Sequence, residues 1–150
     1  MRVALLAMVA VLVAGGWVAR HATTSPPREP SSARLVQVAQ AFDDDYAANH
    51  DGAVWDRFDR ASRSVISRAS YIERHRRCPT APGHATVLGA QPAARGWWRV
   101  TYRIDQVTLV DLWHRQGGHW RFSLWRSNPG AVQLYRLPLV AYLRAEGCAS

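Results

Sequence analysis

A chain of 150 residues has room for one domain and none for two. Apolar residues make up 48% of it and seven are Trp, enough for a sizeable core. The formal net charge is +8, and every basic residue is arginine, a usage that reads as codon bias in a GC-rich genome. That excess would hold the protein near anionic headgroups or polymers. With no recognition motif beside it, it does not make the chain a nucleic-acid binder.

Met1 and Arg2 open the chain with positive charge, and Val3–Ala19 (VALLAMVAVLVAGGWVA) follows without a charged residue before Arg20. Such a run belongs in a bilayer or a translocon. As a helix it spans ~26 Å, slightly short of a ~30 Å hydrocarbon core. Ala14-Gly15-Gly16 offers small residues for cleavage, whereas Trp17 beside Arg20 suits an interfacial anchor. Residues 1–22 are therefore either a signal peptide or a membrane anchor. Residues 23–32, with Thr23–Ser32 (TTSPPREPSS), read as an extended tether, and residues 33–150 as the folded domain. The domain is expected outside the cytoplasm, anchored to the cell membrane or secreted if the first segment is removed.

Ser31–Asn49 reads as a helix, because Leu35, Val38, Ala39, Phe42 and Tyr46 fall on one face. Asp43-Asp44-Asp45 lies in its later half. Adjacent helical residues point in different directions, so the run is read as a solvated face in preference to a cation site. His50-Asp51-Gly52 is a turn, Ala53–Phe58 a short helix and Ala61–Ile66 another. Ser67 caps a helix through Arg77, and Cys78-Pro79 ends the helical half. Thr80–His84 is a loop.

The period then changes to two. Ala85–Ala90 reads as a strand; Trp97–Ile104 (WWRVTYRI) alternates, with Trp98, Val100, Tyr102 and Ile104 on one face. Asp105-Gln106 fits a tight turn into Val107–Arg115, and Gln116-Gly117-Gly118 a second turn into His119–Arg126, with Trp120, Phe122 and Leu124 together. Asn128-Pro129-Gly130 stops the sheet, and Ala131–Arg136 and Leu139–Glu146 read as helical segments around Pro138. Helices, then an antiparallel meander, then a helical tail make an α+β domain with the helices on one face of a curved sheet.

Cys78 and Cys148 are the chain's two cysteines. In an exported chain they read as a disulfide, with two buried thiols as the alternative. His75, Cys78 and His84 are close in sequence, but they lack a fourth ligand and match no standard zinc spacing. No metal and no cofactor is expected, and no phosphate loop, dinucleotide fingerprint, haem-attachment motif or nucleophile elbow is present.

The element order resembles the NTF2-like superfamily over roughly residues 33–126. The carriers are the long first helix, W-D-R-F at Trp55–Phe58, SRASYIERHRRC at Ser67–Cys78, W-W-R-V-x-Y at Trp97–Tyr102, D-L-W-H at Asp111–His114 and G-G-H-W-R-F at Gly117–Phe122. Exported bacterial members share the apolar segment, tether and domain. The resemblance implies a cone in which a bent sheet wraps the helices and leaves a pocket at its open end. Catalytic members use an Asp or His in the cone, helped by Tyr; no such motif transfers residue by residue. Asn128–Ser150 and the cysteine pair lie outside the usual pattern.

Asp111 is the residue of most chemical interest. It sits mid-strand between Val110 and Leu112, where a carboxylate on the concave face would be desolvated and able to act as a base. Trp113 shares its face, and Tyr102 from the next strand would reach the same cavity. The default reading pairs Asp111 with Arg99, Arg103 or Arg126. The five tryptophans from Trp97 to Trp125 would form an aromatic ligand platform or, by default, fill the core. Tyr102, Asp111 and Trp113 are thus the candidate ligand residues, with Asp111 and Tyr102 the catalytic candidates. Two functions compete: a non-catalytic ligand-binding or protein-interaction module of the envelope, and a small pocket enzyme of isomerase, dehydratase or cyclase type. An open cavity with Asp111 free of arginine favours the enzyme. A homodimer through the sheet is a third arrangement.

Overall fold

The computed structural model describes residues 32–79 and 83–148. The expected anchor and most of the tether lie outside the described residues, as do residues 80–82 of the loop. Among the described residues no helix is long and apolar enough to cross a membrane.

The apolar stripe of the first segment becomes α1, Ser32–Ala47, which buries Leu35, Ala39 and Phe42. It stops short of the predicted Asn49 because that residue turns to φ 55 and His50 N–H reaches back to Asp45 O. Helix α2, Asp51–Asp56, begins and ends two residues before the predicted span. Its end is drawn out by the sheet, since Phe58 bridges Phe122. Asp59 caps α3, Arg60–Arg63, by accepting from Ser62 N–H at 2.7 Å. Ser67 caps α4, Arg68–Arg77, as expected from the sequence.

Four strands follow in the order β1 (Thr86–Pro92), β2 (Trp97–Ile104), β3 (Val107–Gln116) and β4 (His119–Phe122), each antiparallel to the next. The β2–β3 register closes at Ile104 opposite Val107 around Asp105 (φ 51). Gly117 and Gly118, both at positive φ, close the β3–β4 turn, a conformation glycine adopts without steric cost. Helix α1 is fastened to β1 by Gln40, whose side-chain amide donates to Ala85 O and accepts from Val87 N–H, both at 2.9 Å.

The predicted last strand is too long. His119–Arg126 alternates in sequence, but pairing ends at Phe122, and Leu124–Ser127 is a short helix, α5. Tertiary partners replace the ladder: Ser123 N–H donates to Leu112 O at 3.0 Å and Leu124 N–H to Ser62 Oγ at 2.8 Å. Asn128 then caps α6, Pro129–Arg136, with proline in its first turn, so the predicted sheet-stop is also a helix start. Helix α7 is Leu139–Ala145.

Leu35, Phe42, Val54, Phe58, Tyr71, Val100, Trp113, Phe122 and Val132 form one core between the helices and one face of the sheet. The domain is α+β, helices followed by a four-stranded antiparallel sheet. Cys78 and Cys148 are joined in a disulfide with their Cα atoms 5.6 Å apart, tying the end of α4 to the chain after α7.

Candidate functional site

A cavity of about 530 Å³ lies between α1, the β2–β3 hairpin and the α5–α6 segment. That volume suits a small organic ligand. Its wall is mainly aromatic and aliphatic, and Asp43, Asp111, Tyr102 and Tyr135 bring polar groups to it.

Strand alternation places Asp111. It stands opposite Val100 and beside Tyr102 on the helix-facing side of the sheet, and is 8% exposed. The expected arginine partner is absent among the described residues. Arg99 and Arg103 point to the other face by the same alternation, and Arg126 lies over the Trp97 ring, 4.3 Å from its centroid. Asp111 instead takes a hydrogen bond from the Ser127 hydroxyl, whose oxygen accepts from Leu112 N–H at 2.8 Å. Burial pushes the Asp111 carboxyl up to about 7; the nearby Asp43 charge adds to this, and Ser127 opposes it.

Asp43 is the residue that the sequence reading missed. Of the three adjacent aspartates, Asp44 is exposed, Asp45 meets the His50 ring at 3.2 Å and Asp43 turns into the cavity. Burial raises its carboxyl to about 7, with Asp44 contributing. The signal was present: Asp43 follows Ala39 by four residues and precedes Tyr46 by three, so it borders the apolar face of α1. Tyr102 lines the same space with its phenol pushed above its ordinary range, first by burial and then by Asp111 and Asp43.

Trp113, expected on the ligand wall, is 1% exposed and sits in the core, edge-on to Phe42 and Phe122. The tryptophans make no platform. Trp120 is buried, Trp98 packs edge-on against it, Trp97 stacks on His114, and Trp125 lies beneath Arg136.

Behind the cavity, Tyr71 and Tyr135 share a hydrogen bond, and the Tyr135 hydroxyl lies 2.8 Å from His75 Nε2. His75 Nδ1 faces Asp51 at 3.8 Å. Desolvation holds the His75 ring down at about 4. The weak metal reading at His75, Cys78 and His84 lapses, because the Cys78 sulfur is in the disulfide. No group of His, Cys, Asp and Glu suited to a metal occurs among the described residues.

Comparison with family models, with curated proteins and with solved structures finds no match.

Proposed function

We propose that this chain is an exported or membrane-anchored NTF2-like domain whose cavity binds a small ligand in the cell envelope, with Asp111 as the polar anchor. The carrying observation is the buried Asp111 carboxyl, which has a second carboxyl near it and no cation among the described residues, in a cavity of about 530 Å³. A desolvated, uncompensated acid costs stability and gives nothing to packing, which is the pattern of a site kept for a ligand. Helices followed by an antiparallel sheet, with a cavity between them, support the cone reading. The apolar run at residues 3–19 supports membrane attachment, and a disulfide suits an oxidising compartment.

A second reading has its own support. Asp111 is raised to about 7 beside the Tyr102 phenol, a setting fit for proton transfer to and from a bound ligand, as in an isomerase or dehydratase. The sheet homodimer has less behind it, since Arg99 and Arg103 are exposed on the outer face and would meet like charges in a symmetric pair.

The test uses the full chain extracted from its native membranes in mild detergent, beside an Ala131→Phe variant that fills the cavity. Native mass spectrometry is expected to find a small molecule on the wild type and none on the variant. Equal retention by both, or a wild type that carries nothing and gains no thermal stability from a membrane small-molecule extract, overturns the reading. The mass of the mature N-terminus distinguishes anchor from signal peptide in the same sample.

A further inference from the structure

Resting on the reading of the cavity as a ligand site, we propose that its ligand is an organic cation, an amine or ammonium group on an apolar body, with the charged head held between Asp43 and Asp111.

The distribution of charge carries the inference. The chain has 19 basic residues and 11 acidic ones, yet no arginine or histidine lines this cavity among the described residues, while two aspartates do. Among the described residues, several arginines are held elsewhere. Arg63 lies over Trp55 and Arg126 over Trp97; Arg74 donates to Ser70 Oγ and Leu137 O and lies against the Tyr142 ring. A cavity for an anion in so arginine-rich a chain would draw on at least one of them.

The groups facing the carboxyls are Asp44 and Tyr46 from α1, Tyr71 from α4, Tyr102 from β2, the Ser127 hydroxyl at the end of α5, and Tyr135 from α6. Burial holds the Tyr71, Tyr102 and Tyr135 phenols above their ordinary range, so they stay neutral near pH 7, and the tyrosine rings carry electron-rich faces that attract a cation. Phe42, Phe58 and Phe122 extend the aromatic wall and suit the apolar body. Burial first, then the neighbouring Asp44 for Asp43 and Asp43 for Asp111, hold both carboxyls near half-protonation at neutral pH. A cation between them favours their charged forms, so binding releases protons to solvent and strengthens as pH rises.

The test compares three probes with one body and different heads: phenylbutylamine, phenylbutanol and phenylbutyrate. Each is titrated into the full chain in detergent by calorimetry at about pH 8 and about pH 5.5. The amine is expected to bind at least about tenfold more tightly than the alcohol at the higher pH, with the carboxylate weakest. The amine's preference should shrink at the lower pH and in Asp111→Asn and Asp43→Asn, each of which neutralises one carboxyl with little change of shape. Asp111→Asn should also melt higher than the wild type at about pH 8, because it removes a desolvated charge, so its loss of amine binding would not reflect misfolding. If the alcohol binds as tightly as the amine, or the amine's preference persists in the double Asn variant, the cation inference is overturned and the pocket reading stands. If none of the three probes binds, the pocket reading fails and the inference fails with it.

Discussion

His75 on α4 and Tyr135 on α6 share a 2.8 Å hydrogen bond, and the Tyr71 hydroxyl bonds Tyr135 in turn, so a buried polar chain runs from the back of the fold to the cavity wall. The histidine in this chain is neutral, because desolvation holds its pKa at about 4.

The chain makes stability depend on pH in a defined direction. In the unfolded protein a histidine titrates at about 6.5. As pH falls from there toward 4 the unfolded state takes up the proton first, so the contribution of His75, complete above that window, is lost by about 3 kcal/mol. Asp43 and Asp111 act oppositely. Their folded pKa values, raised to about 7, lie above the unfolded value, so stability falls as pH rises from about 4 to about 7. With two carboxyls set against one imidazole, the wild type should still lose stability from about pH 4 toward about pH 7, less steeply than the carboxyls alone would make it. Urea midpoints measured across this range should show a flatter profile in Asp111→Asn, where Asp43 and His75 nearly offset each other, and a steeper fall toward neutral pH in His75→Phe. An unchanged profile in both variants would refute the assignment of these groups.

Removing the cross-link should loosen one end of the molecule. Cys78→Ser with Cys148→Ser releases a closure of 70 residues and is expected to cost about 2–4 kcal/mol in denaturant titration. Hydrogen exchange should quicken in α6 and α7 and change little in β2 and β3, because the disulfide fastens the tail to α4 and leaves the strand ladder untouched.

Gln40 stands in for a strand. Its amide pairs with Ala85 O and Val87 N–H at the start of β1. Gln40→Leu leaves both backbone groups without that partner and should cost about 1–3 kcal/mol, with faster exchange at the Val87 amide. Gln40→Glu restores an acceptor and no donor at neutral pH, so it should recover only part of the loss.

Ser62 is fully buried, and its hydroxyl oxygen accepts from Leu124 N–H at 2.8 Å. Ser62→Ala orphans that amide where the chain leaves the sheet and should lower stability by about 1–3 kcal/mol. Nuclear magnetic resonance should place the largest shift changes at Ser123–Ser127. A variant as stable as the wild type would mean that α5 holds without this bond.

The stripe of α1, the Ser67 cap and the alternation of Trp97–Ile104 were all legible, because each depends on neighbours within a few residues. The cysteine pair was legible as well, from its count and its expected compartment. Local pattern also placed Asp111 and Tyr102 on one face. It misread Leu124–Arg126, whose alternation suited a strand, since the Ser62 hydroxyl and the Leu112 carbonyl that receive this segment's amides are distant in sequence. Trp113 went to the core and Asp43 to the cavity for a related reason. Periodicity tells which side of an element faces inward, and only the packing of α1, β3 and α6 against one another decides which inward positions are filled and which border open space. The sequence by itself determined the α+β order and an acid in mid-strand on β3, with an arginine as its default partner. The tertiary structure decided that this acid meets a second one instead of an arginine, because the arginines of β2 alternate to the outer face and Arg126 is held against Trp97.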